Sequence, residues 1–255
     1  MRVRVDRFLP LGWGDFLFQL GLWFGFALVY QFARGFADHS ALEAFRNGRV
    51  VIDTERALHA LVEVDVQRVI IHAGDTALAA VNWTYWLAQF PVLGLGLLWI
   101  YLRRNESFIA VRNWILCTNL IALVGYVLLP TAPPRFFPEE GFTDTLAVAA
   151  SVNHGSALVQ LASNPFAAMP SVHAADALII GFALAALVRN RWLSLLWTLW
   201  PTWVWFSVMA TGNHFWLDVA AGIGVALLAG AVVAWTQCRV AAAPALYPVE
   251  RSCRC

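Results

Sequence analysis

Six stretches of the chain are almost unbroken runs of apolar residues: 16–33, 82–102, 109–130, 171–188, 193–210 and 214–235. Each is close to the ~20 residues that a helix needs to cross a hydrocarbon core. None alternates apolar and polar positions as a strand of a membrane barrel does. The pattern predicts an all-α fold, a bundle of six transmembrane helices. A different pattern lies between the first two runs. In residues 54–72, TERALHALVEVDVQRVIIH, the positions Leu58, Leu61, Val62, Val66, Val69 and Ile70 recur near helical spacing, with charges between them. That predicts an amphipathic helix lying on the membrane or on the bundle. Residues 145–162 carry a weaker version of the same pattern. No internal repeat and no low-complexity tract is visible.

Composition agrees with the pattern. Of 255 residues, 60% are hydrophobic and 13% charged, far more apolar than an ordinary soluble domain. The chain reads as one transmembrane domain over residues 1–255, with 236–255 a flexible cytoplasmic tail. A net charge of +1 gives no footprint for nucleic acid. All 17 basic residues are arginine, which, with the heavy use of alanine, points to a bacterial source. Cys117 falls inside an apolar run and reads as a small core residue. Cys238, Cys253 and Cys255 lie at or beyond the last run, without a CxxC pair that would suggest zinc. No cleavable signal is expected, because the first run has the length of a full span.

Arginine placement sets the topology. Arg2, Arg4 and Arg7 precede the first run, Arg103, Arg104 and Arg112 sit around the second turn, Arg189 and Arg191 fill the fourth, and Arg239, Arg251 and Arg254 follow the last. With six spans, all four clusters fall on one side, which the positive-inside rule makes cytoplasmic. Both termini are then cytoplasmic, and residues 34–81 and 131–170 face outward from the plasma membrane.

Three polar clusters interrupt the apolar runs: PTAPPRF at 130–136, AMPSVHAA at 168–175 and TGNHFWLDVAAG at 211–222. Each sits at the outer end of a predicted span. His173 and His214 are 41 residues apart, enough to descend one helix, turn at Arg189–Arg191 and return up the next. Both imidazoles therefore finish at one membrane face. Asp218 follows His214 by one helical turn, and Arg135 reaches the same surface from the end of the third span. Ionisable groups at such positions are rare and usually functional.

An arginine, a serine, two histidines and an aspartate suit phosphoryl transfer. His214 would attack phosphorus, and Asp218 would accept its Nδ1–H, fixing the tautomer and leaving Nε2 free. His173 would protonate the leaving alkoxide, then deprotonate an incoming hydroxyl or water. Arg135 would hold phosphate oxygens as a charged fork, and Ser171 with the first N–H groups of span four would add donors. Asp176 either backs His173 or hydrogen-bonds another helix. Thr211 and Asn213 read as cap residues near the site, and Gly222 and Gly224 as helix-packing positions. His39, His59, His72 and His154 read as surface residues. The tryptophans, among them Trp203, Trp205 and Trp216, suit interfacial belts or packing.

The three clusters together resemble the type 2 phosphatidic acid phosphatase superfamily, and more closely its inositol phosphorylceramide synthase-like branch. The resemblance rests on PTAPPR at 130–135, AMPSVH at 168–173 and TGNHFWLD at 211–218, and covers about residues 50–235. It implies that His173, His214 and Asp218 are the catalytic group, that a phosphohistidine forms, and that neither metal nor cofactor is needed. It also implies a lipid phosphate substrate with an alcohol, lipid or water acceptor. Three positions depart from the pattern. Leu128 stands where the superfamily's first motif has lysine, Val208 where its third has arginine, and Gln89 where the branch has histidine. Both transfer and hydrolysis stay open. A transporter fits less well, because the polar groups gather at one face and do not cross the bilayer. A haem protein would not require an aspartate four residues after one histidine, and a metal-dependent headgroup transferase should show several aspartates at helical spacing, for which Asp176 and Asp218 are too few.

Overall fold

The computed structural model describes residues 9–35, 41–148 and 166–242. Among these residues it is helical, with one isolated bridge between Thr131 and Ala167 and no strand. The helices are α1 (Gly12–Gly35), α2 (Ala41–Ala57), α3 (Glu63–His72), α4 (Asp75–Leu87), α5 (Leu93–Arg103), α6 (Asn105–Leu128), α7 (Thr145–Val148), α8 (Val172–Leu187), α9 (Arg191–Ala210) and α10 (Trp216–Ala242). A π-helical turn, Ala88–Val92, joins α4 to α5 and contains Pro91. Proline has no N–H for the ordinary ladder, and the wider turn absorbs that loss.

Five helical runs are long and apolar enough to cross a membrane: Gly12–Tyr30, Asp75–Arg103, Asn105–Leu128, Arg191–Ala210 and Trp216–Arg239. They carry large apolar side chains outward, such as Leu95, Val124, Leu196 and Leu227. In water this surface would be untenable; in lipid it is the solvated surface. The protein is a multi-pass membrane helical bundle.

The fourth predicted span does not reach full length. Helix α8 has 16 residues, about 24 Å against a ~30 Å hydrocarbon core. Its start is fixed by Ser171, whose Oγ accepts the Ala174 N–H. Its end is fixed where the Arg104 Nε donates to the Leu187 carbonyl, 3.2 Å away. The reason α8 tolerates this length is burial. Every residue from Ala174 to Gly181 is enclosed, so the helix is matched to its protein neighbours and not to lipid. It is the axis of the bundle. Leu97, Ile100, Ile115, Ile179, Ile180 and Ala226 from α5, α6, α8 and α10 form one core around it.

The amphipathic segment departs from the expectation of one helix. It is two helices, α2 and α3, with His59 between them at φ 53°. Its apolar positions divide: Leu58, Val62 and Val69 are exposed, Ile70 is buried, and Leu61 and Val66 pack on buried clusters, while the polar Glu55, Glu63 and Gln67 are buried as well. The polar face packs on the bundle because there it finds partners. Gln67 bonds both ways to Thr143, through its carbonyl and its N–H. A continuous helix would also hold positions 55 and 63 about 12 Å apart along its axis. The break lets both carboxylates reach adjacent amides, described below. Of the predicted helix at 145–162, Thr145–Val148 is helical and the remainder lies outside the described residues. Helix α10 runs to Ala242, so the first part of the expected tail is helical; its remainder, with Cys253 and Cys255, is also outside.

Above the bundle, α2 and the turns at Pro134–Phe136 and Pro138–Glu140 form a small second core. Ala44, Ile52, Phe137 and Phe142 enclose Phe215 there. This cap holds Arg135 over the ends of α8 and α10.

Candidate active site

The three polar clusters converge. The ring centroids of His173 and His214 are 5.8 Å apart, so the 41-residue spacing does return the second histidine to the first. Both rings, with Arg135 and Asn213, line a cavity of about 430 Å³. One wall is apolar and comes from α1, through residues including Trp23, Phe26 and Tyr30.

His214 is buried, and its Nδ1 lies 2.9 Å from the Ala168 carbonyl and 3.5 Å from Asp218 Oδ2. Both neighbours are acceptors only, so the hydrogen must be on Nδ1 and the free lone pair on Nε2. The expected tautomer is therefore enforced, with the backbone carbonyl the nearer acceptor and Asp218 the charged one. Asp218 is fully buried and accepts the Phe215 N–H through the same Oδ2, at 2.8 Å.

Two carboxylates absent from the sequence-based site complete this corner. Glu63 accepts the Trp216 N–H at 2.6 Å and Glu55 the Leu217 N–H at 3.1 Å. With Asp218 on Phe215, three successive amides at the start of α10 are each held by a side-chain carboxylate, a reinforced N-terminal cap. Glu55 and Glu63 are both fully buried. Burial, and then the charge of Glu63, push the Glu55 carboxyl up to about 9. Burial also raises Glu63. A proton is therefore held between them at neutral pH, on Glu55 and donated to Glu63.

The TGNH turn depends on one glycine. Gly212 has φ 70°, and a Cβ there would lie 2.7 Å from Gln67 Nε2 and 2.8 Å from the Thr143 carbonyl. The turn accepts the Arg135 N–H at the Gly212 carbonyl, 2.9 Å away. The Asn213 side-chain oxygen accepts from Arg135 Nη1, and the Asn213 amide donates to Thr211 Oγ1 at 2.9 Å. Asn213 thus orients the guanidinium, which lies over the Phe136 ring and 3.9 Å from Asp144. Arg135 is the one arginine lining the cavity among the described residues.

His173 is the second residue of α8, and its ring stacks on Tyr85 at 4.4 Å between centroids. Tyr85 is a contact the sequence reading missed; it sits in NWTYW, where its aromatic neighbours mask it. Ser171 is placed otherwise than expected. It is fully buried, its Oγ is the N-cap of α8, and it does not line the cavity. The cap bond uses a lone pair of Ser171 Oγ and leaves its O–H as a donor. Asp176 bonds to two other helical segments: it accepts from Asn119 at 3.0 Å and from Gln89 at 3.1 Å. Gly222 packs tightly, as expected; a Cβ there would be 2.2 Å from the Ser171 carbonyl. Gly224 does not, with nothing within 4 Å of its own. Among the described residues, no group of three or more His, Cys, Asp or Glu is arranged to hold a metal ion.

Residues 49–232 match the model of the PAP2 superfamily. A phosphoinositol dihydroceramide synthase of Bacteroides thetaiotaomicron is 26% identical over 158 residues, covering 56% of this chain and 52% of its own. The chain spans about half the length of that curated relative. No solved structure matches significantly.

Proposed function

Because this chain belongs to the PAP2 superfamily, a family of lipid phosphatases and phosphotransferases, we propose that it transfers a polar headgroup phosphate, of inositol phosphate type, from a lipid to an alcohol or lipid acceptor. The observation that carries the reading is the facing pair of imidazoles, 5.8 Å between centroids, beside one guanidinium in one cavity.

The His214 Nε2 lone pair attacks phosphorus, and the bond from phosphorus to the leaving oxygen breaks. His173 gives its proton to that oxygen. The resulting phosphohistidine carries a positive ring, which Asp218 offsets from 3.5 Å. Arg135, aimed by Asn213, balances the equatorial oxygens. In the second step His173 takes a proton from the acceptor hydroxyl. The new oxygen–phosphorus bond forms, and the nitrogen–phosphorus bond breaks. The reaction faces the outside of the cell, with both termini cytoplasmic, as the arginine clusters at the opposite ends of the spans support.

A second reading is hydrolysis, with water entering at the second step. The name of the Bacteroides relative favours transfer. Incubation with a phosphate-labelled lipid, with and without an acceptor alcohol, separates the two. Label in a new lipid supports transfer, and label only in free or headgroup phosphate supports hydrolysis. His214→Ala should lose at least ~10³-fold in turnover by either route, as removal of a covalent nucleophile does; retained turnover would falsify the covalent step.

A further inference from the structure

Helix α1 lies outside the residues that match the family, 49–232, and yet it walls the cavity. Its attachment is uneven along its length. Toward the Gly12 end the Tyr101 hydroxyl donates to Asp15 at 2.8 Å, Arg112 donates to Gln19, and the Phe16 ring lies 5.6 Å from that of Tyr101. Hydrogen bonds between helices in apolar surroundings hold that end in place. Toward the other end Phe24, Phe26, Ala27 and Tyr30 line the cavity. Trp23 stands where the two halves meet. It lines the cavity and also packs on the core beneath, so it forms a floor. From Tyr30 down to Trp23 is about 10 Å of helix.

This wall has a mouth. Phe24 of α1 is 64% exposed and Phe90 of the π turn 65%, and both line the cavity. A side chain that borders a cavity and is also open to its surroundings marks where the cavity opens. Both rings belong to membrane-spanning runs, so the opening faces lipid chains and not water. The size of the cavity agrees. At about 430 Å³ it lies in the lower half of the ~300–1,000 Å³ usual for small-ligand sites. It can enclose a headgroup phosphate and part of one chain, but not a two-chain lipid. The rest of such a lipid has to stay in the bilayer while its phosphate sits between the imidazoles, and a side mouth permits that. Aromatic rings there gain about 4-fold in affinity for each chain methylene they bury.

We infer that the opening between the Trp23–Tyr30 half of α1 and the π turn Ala88–Val92 is a side entrance from the bilayer and the binding site for an aliphatic chain of the donor lipid, with Trp23 as its floor. This rests on the lipid phosphate reading above and adds the route by which the donor enters and the residues that hold its chain. The site touches the donor away from the reacting atoms, so it acts on which donors are accepted.

The test uses the full chain in mixed micelles with two donors that share a headgroup: phosphatidylinositol with two hexadecanoyl chains, and the methyl ester of inositol monophosphate. One carries tritium and the other radiocarbon in the inositol, so competition in a single reaction gives the ratio of their kcat/KM values. Ala27→Trp fills the mouth and leaves Arg135, His173 and His214 as they are. It should lower kcat/KM for the two-chain donor by ~10-fold or more, the worth of two buried methylenes, and for the methyl ester by no more than about 3-fold. Leu28 is 73% exposed and does not line the cavity, so Leu28→Trp should change either value by less than about 2-fold. Equal losses for both donors in Ala27→Trp, no loss for either, or the same pattern in Leu28→Trp overturns the entrance. A second measurement needs no variant: phosphatidylinositol with a diazirine midway along one chain, photolysed on the wild type and mapped by peptide mass spectrometry. Label within residues 23–30 or at Phe90 that unlabelled phosphatidylinositol competes away supports the chain site. Label that is not competed, or that falls only on outward positions of other helices such as Leu196 and Leu227, overturns it. Turnover of neither donor overturns the functional reading, and the photolabel, which requires no turnover, still decides the chain site.

Discussion

The pair Glu55–Glu63 makes folding sensitive to pH in a stated direction. Both carboxylates are fully buried under the start of α10, and Glu55 is pushed from 4.5 up to about 9 by burial and by the charge of Glu63. In the unfolded chain the same group is ionised above about 4.5. Between these limits the native state holds one proton that the unfolded state has released. Stability is therefore full below the unfolded value and falls as pH rises toward 9, by at most about 1.4 kcal/mol per pH unit from this group. From pH 6 to pH 8 the ceiling is about 2.7 kcal/mol, or roughly 5–10 °C in the midpoint for a chain of this size. Glu55→Gln isolates the effect. The glutamine carbonyl still accepts the Leu217 N–H, which Glu55 now does at 3.1 Å, and its amide donates permanently to Glu63. Thermal unfolding in micelles, followed by the fluorescence of the 13 tryptophans, should show a steep alkaline loss in the wild type. The variant should show a flatter line that crosses above it near pH 8. Parallel pH dependence in the two proteins would refute the shared proton. Glu55→Ala, which strips the Leu217 amide as well, should be less stable than Glu55→Gln at every pH.

Two further outcomes follow from the site. Arg135→Lys keeps the charge but loses the fork that Asn213 aims; kcat/KM should fall ~10–100-fold, as loss of charged hydrogen bonds predicts, measured at fixed acceptor concentration, and a change below 2-fold would remove Arg135 from phosphate binding. Gly222→Ala drives a Cβ to 2.2 Å from a backbone oxygen that cannot rotate away, so folded yield and midpoint should drop by more than the ~1–3 kcal/mol of ordinary overpacking, whereas Gly224→Ala, with open space, should be neutral or slightly stabilising.

The spans were legible because length and hydropathy constrain a helix in lipid so strongly. The pairing of His173 with His214 was legible for the same reason, since a fixed rise per residue makes sequence spacing a ruler. What the spacing left open is direction around a helix. In residues 54–72 the apolar spacing suits either the membrane or the bundle. At a membrane surface the outer medium is itself apolar, so Leu58, Val62 and Val69 can face outward while Ile70 packs inward beside the buried Glu55, Glu63 and Gln67. Periodicity finds the two faces but does not say which is buried. The same limit hid Tyr85, one aromatic among several in α4. The capping role of Ser171, whose Oγ accepts the Ala174 N–H, is legible in its place at a helix start.

The two helix starts at the site show how the chain divides its resources. A helix N-terminus attracts anions, and the sequence suggested phosphate would use that of α8. Yet Ala174 N–H is turned to Ser171, and Phe215, Trp216 and Leu217 N–H are taken by Asp218, Glu63 and Glu55. The start of α10 is thus occupied by the protein's own carboxylates. Among the described residues Arg135 is the arginine that lines the cavity, with Asn213 holding its direction. The carboxylates at α10 fix the backbone from which His214 and Asp218 project.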